Sequence, residues 1–342
     1  MNFKILHEFP SPEFEQPWRE FLTRVEVPSH YDAPEFFLDP LHQRPFAVLA
    51  TENNEVRGVL TGSHFDETTV SGLPARPQIC VDDPQNTAAL AALAQGLLAE
   101  GEDSGLITLY SWSWLDLPAF VDVGFNRRKL LGNVVLDLTR GADTLFKEFT
   151  KDRRRNIRFA EKNGVEVREA ATEQDIIDAY AVYSGWRGTQ RKKVKGDWSF
   201  ESFTKTVRLR NNRRLFLAMF EGKVIAINIF RFFPGGLFES AANSSLDEFI
   251  YLKPNDLLQW RGIQWACAQG LRRHSLGGAH EFLLRFGGPV VPIIRYRLDR
   301  SLLRRHDVEE NLRDSARSLL RSAPFGLDAK VRRLIGKNPK GH

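Results

Sequence analysis

A single shift of 168 residues lays one part of this chain on another, and few folds satisfy that constraint. Phe46-Ala47-Val48-Leu49-Ala50 and Val56-Arg57-Gly58-Val59-Leu60 flank a turn at Asn53-Asn54. Leu215-Phe216-Leu217-Ala218 and Val224-Ile225-Ala226-Ile227 flank a turn at Glu221-Gly222. The shift carries Leu49 to Leu217, Ala50 to Ala218, Val56 to Val224 and Gly58 to Ala226. Asn tolerates a positive φ, so both stretches read as β-hairpins. Two hairpins can look alike by chance. The same shift also lays Trp18-Arg19 on Trp186-Arg187, in an upstream helical stretch, which argues for a duplicated unit.

The first copy is expected over residues 1–140. It holds a helix at Glu13–Val25, the hairpin, a strand at Gln78–Asp82, an Ala/Leu-rich helix at Asn86–Glu100, a strand at Leu106–Tyr110 and a closing strand at Val134–Leu138. The second copy, residues 141–300, repeats that order. Strands mixed with helices predict an α/β architecture of mixed sheets with helices on their faces. From Arg300 to His342 there are eleven Lys/Arg and five Asp/Glu, a balance of +6. With a chain total of +5, the remainder is close to neutral, so residues 301–342 read as a basic helical tail. Such a tail suits RNA, an anionic membrane surface or plain solubility.

Cys80 and Cys267 stand far apart, which argues against a disulfide framework and for a reducing, cytoplasmic compartment. Scattered His and single Cys predict no metal site. The start of the chain lacks the apolar core of a signal peptide, and no apolar run is long enough to span a bilayer.

Between the copies, Thr144 to Asn163 has helical composition, ended by Gly164. Leu145, Phe146, Phe149, Ile157 and Ala160 form one apolar side, and Lys147, Lys151, Arg153, Arg154, Arg155, Arg158 and Lys162 crowd the rest. Like charges at helical spacing repel, and an anionic ligand relieves that; acidic neighbours would do so too. The basic run Arg191-Lys192-Lys193 reads as a loop.

In the second copy, Tyr251-Leu252-Lys253-Pro254-Asn255-Asp256 opens a helix carrying Leu257, Leu258, Trp260, Ile263 and Trp265 almost all round, and Gly277-Gly278 follows a short strand. A helix start offers unpaired N–H groups to anions and carbonyl oxygens. Pro254 with Asn255 or Asp256 is also simply a good helix start. His274 and His280 flank the glycine pair; an acid–base role is one reading, and surface turn residues the favoured one.

Arg153-Arg154-Arg155-Asn156-Ile157-Arg158 followed by Ala160-Glu161-Lys162-Asn163-Gly164-Val165 resembles the Fem aminoacyltransferases and their acetyltransferase-like relatives, the FemAB-like or BioF2-like group. The spacing to Pro254-Asn255-Asp256-Leu257-Leu258 and Gly277-Gly278 is similar too. The resemblance implies tandem GNAT-like domains and transfer of an acyl or aminoacyl group to an amine, in cell-envelope or polysaccharide metabolism. The co-substrate it implies is an acyl-CoA thioester or an aminoacyl-tRNA. The Arg/Gln-x-x-Gly-x-Gly/Ala signature of coenzyme A users is missing, since Gln259-Trp260-Arg261-Gly262-Ile263 does not fit it.

Acyl transfer needs an amine aimed at a carbonyl whose developing oxyanion is stabilised. Lys253 and Arg285 are the candidate cations, and Asp256 and Glu239 the candidate bases. Arg154, Arg155 and Arg158 are candidates for phosphate, with Trp186, Asn255, Gly277 and Gly278 also on the substrate. The rival reading is a catalytically silent RNA-binding or scaffold protein that uses the same cations.

Overall fold

A computed structural model describes residues 1–189, 198–209 and 211–322. The chain order is β1 (Asn2–Leu6), α1 (Pro12–Arg24), β2 (Pro45–Glu52), β3 (Glu55–Phe65), β4 (Thr68–Ser71), β5 (Ile79–Val81), α2 (Thr87–Glu100), β6 (Leu106–Trp112), α3 (Pro118–Asp122) and β7 (Asn126–Asp137). There follow α4 (Ala142–Glu148), α5 (Lys151–Lys162), β8 (Glu166–Glu169), α6 (Glu173–Thr189), α7 (Phe200–Val207), β9 (Arg213–Phe220), β10 (Lys223–Phe232), β11 (Leu237–Ser245), α8 (Pro254–Ala268), β12 (Arg273–Ser275), α9 (Glu281–Leu284), β13 (Val290–Asp299) and α10 (Arg305–Ser322). Arg191-Lys192-Lys193 and the chain beyond residue 322 lie outside the described residues.

The repeat is present in the backbone. Ala50 pairs with Gly58 and Leu49 with Val59, and a bulge follows Ala50. In the second hairpin Ala218 pairs with Ala226 and Leu217 with Ile227, with a bulge at the corresponding place. Asn53, Asn54, Glu221 and Gly222 all have positive φ, so both turns have the backbone handedness that matches strand twist.

The strands form one sheet, ordered β1-β2-β3-β4-β6-β13-β7-β12-β11-β10-β9-β8, with β5 paired to β3. Read inward from either end, the halves have the same plan: an antiparallel run, then one parallel step, β4 to β6 or β11 to β12. The sixth strands are exchanged. β13 joins β6 in the first half, and the end of β7 joins β12 in the second. The sheet therefore does not divide at residue 140. Gly132 makes this possible: with φ 88°, it lets β7 bend as it changes partner, and a side chain there would meet the Val291 carbonyl at 1.9 Å.

Each half packs helices on both faces. In the second, α8 covers one core with Leu257, Leu258, Trp260 and Ile263, and α6 and α7 cover the other with Ile176, Val182 and Phe203. α8 sits close on β10 because Gly262 has no side chain: a Cβ there would be 2.3 Å from the Phe230 ring.

Two expectations need correction. The single helix over Thr144–Asn163 is two helices, α4 and α5. Phe149 turns extended (φ −58°, ψ 145°) and is buried against Trp260 and Phe286. The Thr150 side chain then accepts from Arg153 N at 3.3 Å and starts α5 afresh. The strand expected at Val134–Leu138 is only the end of β7, whose charged first half pairs with β13.

Candidate active site

β11 and β12 pair over only three residues each, Leu237–Glu239 with Arg273–Ser275. Beyond that, β11 runs on to Ser245 with no partner on this side. The chain after β12 instead stays with β7, through Leu276 N to Val134 O and Val134 N to Gly278 O. A parallel pair that parts in this way leaves a gap edged by backbone N–H and C=O groups with no partner strand. Gly277 (φ 79°) makes the turn on one side, and its missing side chain would lie 3.8 Å from the Ser240 carbonyl on the other.

α8 begins beside this gap. Its N-cap is Lys253, in the left-handed conformation (φ 60°), with no side-chain hydrogen bond to the first turn. That backbone is uncommon for a residue other than glycine. Asn255 Nδ2 donates to Ser245 Oγ at 3.2 Å, tying the helix start to the end of β11. Asn255 Oδ1 and Ser244 Oγ are buried without hydrogen-bond partners. Unsatisfied buried polar atoms are costly and suit a site that a ligand completes.

The basic cluster divides. Arg153 turns inward to a buried pairing with Asp256, and its Nη2 donates to Phe282 O at 2.6 Å. Its guanidinium lies 4.0 Å and 4.2 Å from the ring centroids of Phe282 and Phe286. Burial lowers its pKa from the usual value, and Asp256 pulls it back up. Asn156 Nδ2 also donates to Asp256, at 3.2 Å. Asp256 thus braces the first turn of α8 against the start of α5. Arg154 donates to the Lys147 and Phe149 carbonyls, which closes the end of α4. Arg155 pairs with Asp152 at 3.1 Å, and Arg158 lies 5.5 Å from the Phe146 ring centroid; both point outward. Arg285 pairs with Glu281 across one turn, and its carbonyl accepts from Thr150 N. Trp186 is half-buried on α6, across the sheet from α8, on a helix whose Gly185 approaches Leu246.

Glu239 lies at the parting of β11 and β12, 1% exposed. The loop after α1 reaches across from the first half to meet it. Tyr31 Oη donates to Glu239 Oε1 at 3.1 Å, and Arg76 Nε pairs with it at 3.0 Å. Arg76 also donates to Ala241 O, and Arg231 to Tyr31 Oη at 2.5 Å. Arg213 pairs with Asp39 at 2.6 Å. Burial pushes the Tyr31 hydroxyl up to about 12. Asp39 is held below the usual carboxylate range: burial works against this, but Arg231 and Arg213 outweigh it. Glu239 Oε2 has no partner. This network joins the two halves, and sequence reasoning missed all of it except Glu239. One signal was present: Arg231 interrupts the apolar run of β10, and a charge in a buried strand needs a partner.

His274 also needs correction. It is buried in β12, where Nδ1 donates to Phe238 O and Nε2 accepts from Gln259 at 2.5 Å. Burial lowers its pKa to about 4. Asn228 and Ser240 extend the chain, through Ser240 Oγ to Asn228 Oδ1 and Asn228 Nδ2 to Gln259 Oε1.

Residues 147–285, which contain both helix starts and the gap, match the family model described as an acetyltransferase (GNAT) domain. No curated protein sequence matches the chain. Among solved structures, FemX superposes with a TM-score of 0.65 at 14% identity, over 87% of this chain and 97% of that one. L-PGS from Bacillus licheniformis gives 0.59 at 12%, over 87% and 94%. A tandem GNAT protein from the clavulanic acid biosynthesis pathway gives 0.54 at 14%, over 88% and 99%. The chain has the tandem GNAT fold, the architecture that the Fem resemblance implied. Among the described residues, no helix is long and apolar enough to cross a membrane.

Proposed function

We propose that the protein is an acyltransferase that moves an acyl or aminoacyl group from a thioester or aminoacyl-tRNA donor to an amine, in the cytoplasm. The carrying observation is the parting of β11 and β12 beside the uncapped start of α8. The reacting carbonyl lies along residues 240–245, where free N–H groups stabilise the oxyanion. The acceptor nitrogen attacks the carbonyl carbon. The new N–C bond forms as the C–S or C–O bond to the donor breaks, and the nitrogen gives up a proton. Glu239, with one unpartnered oxygen at the parting, is the acceptor for that proton. Lys253 and the start of α8 attract the donor's phosphates. Asp256 positions this machinery through Arg153.

The outward-facing Arg155 and Arg158 favour a second reading, in which a silent fold holds RNA by phosphate contacts alone. One experiment separates the two. Acetyl-CoA and aminoacyl-tRNA are each tested for consumption in the presence of an amine mixture, with wild type and Lys253→Ala. Consumption that falls in the variant, with melting unchanged, supports the enzyme. Tight, salt-dependent RNA binding without consumption supports the silent fold.

A further inference from the structure

A separate cleft of about 170 Å³ is lined mostly by the first half, with Arg273 of β12 at its edge. It lies where the chain leaves β4, between β5 and the turn that follows β6. Apolar groups make much of its wall, among them Ile79, Trp112 and Leu115. Trp112 is stacked on Trp114, with centroids 4.6 Å apart and planes at 8°, so its ring is fixed in orientation.

The charges around the cleft are matched, with one exception. Arg24 pairs with Asp82 at 3.5 Å, and Arg273 with Glu26 at 3.0 Å. Asp32 also lines the cleft and is 3% exposed. Its Oδ2 accepts from Ser29 N at 2.8 Å, but its Oδ1 is buried with no hydrogen-bond partner. The Cys80 thiol, a weak donor, lies against the same carboxyl, and among the described residues no cation is among the groups that act on it. Burial pushes its pKa up to about 6, against the hydrogen bonds from Ser29 and Cys80. Trp18 Nε1 donates to the Asp32 carbonyl at 2.6 Å and holds this residue in place from behind. A buried carboxylate with an unused lone pair, beside a fixed indole and apolar walls, lacks one partner: a positively charged donor on an apolar body.

We propose that this cleft binds a primary ammonium ligand with an aromatic or apolar body, the ammonium on Asp32 and the body against Trp112. The proposal concerns binding and stands independently of the transfer reaction.

Calorimetric titration of the full chain with tyramine, and with 4-ethylphenol as the same ring without the ammonium, tests it. Tyramine is expected to bind at least about tenfold more tightly, the scale of one charge-assisted hydrogen bond. Asp32→Asn, which keeps an oxygen for Ser29 N–H, is expected to bring tyramine down to the affinity of 4-ethylphenol. Leu115→Trp, which fills the cleft and leaves Asp32 intact, is expected to abolish binding of both and serves if the Asp32 variant does not fold. Equal affinity for the two probes, no binding of tyramine, or undiminished binding in a folded variant would overturn the proposal.

Discussion

The two halves share a hairpin down to its bulge, yet they treat the helix that follows differently. In the first half α2 is capped by its own chain: Asn86 Oδ1 accepts from Ala89 N at 3.0 Å. In the second half α8 starts from Lys253, a cation in a left-handed backbone whose side chain makes no cap hydrogen bond. One helix start is closed and the other is left for something else to close. The parallel step differs as well. β4 ends at Ser71 and the chain departs through a loop to β5, whereas β11 continues along the open gap to Ser245. Duplicated backbone therefore does not mean duplicated chemistry. The second half holds a gap where β11 has no partner strand, and the first half lines a cleft with a carboxylate that has one unpartnered oxygen.

The largest expected effect tests the brace that holds the open start in place. Arg153→Ala leaves Asp256 buried without its partner and should cost about 3–5 kcal/mol in urea unfolding. A loss below about 1 kcal/mol would mean that Asp256 finds water and that the brace is not structural.

Acid should act on both halves together. His274 and His42 have pKa values near 4 in the fold and His30 lies well below 6.5, all first through burial. Unfolded, each would take up a proton near 6.5. Between pH 6.5 and 4 the unfolded chain thus binds more protons, and stability falls as pH falls. Asp32, raised to about 6, takes its proton first in the folded state and offsets one histidine. The net of roughly two protons gives a slope of about 2.7 kcal/mol per pH unit in the middle of that window. Thermal unfolding from pH 8 to 5 measures it, and His274→Gln should reduce the slope by about half. An unchanged melting temperature across that range would contradict the burial of these imidazoles.

The sharpest contrast between the halves comes from two helix-start variants. Lys253→Gly relieves the left-handed backbone and should raise stability by about 1 kcal/mol. It should also weaken donor binding by about tenfold, because a cation is lost. Opposite signs from one substitution mark a site kept for function at a cost in stability. Asn86→Ala should do the plain thing: lose about 1 kcal/mol as a cap and leave donor binding unchanged. Equal effects of the two on donor binding would erase the distinction between the helix starts.

The repeat was legible because turn, bulge and strand are local and their spacing survives in the residues. The exchange of β7 and β13 was not, because partner choice between strands is decided at long range and the first half of β7 is charged. The break between α4 and α5 had a readable sign in Thr150, but no glycine or proline announced it. At the site, the start of α8 was visible from Lys253-Pro254-Asn255-Asp256. The roles inside the arginine run were not, because which arginine turns inward depends on Asp256, Phe282 and Phe286, more than a hundred residues away. Tyr31 and Arg76 come from loops with no periodicity, so nothing placed them beside Glu239.

Amide hydrogen exchange, read peptide by peptide with saturating acetyl-CoA and separately with aminoacyl-tRNA, puts the account to its most direct test. With at least one of them, protection should rise over residues 240–245 and 254–258 and stay unchanged over residues 86–90. Protection of neither segment by either donor, or equal protection at the start of α2, would contradict an acyl-donor site at the mouth of α8.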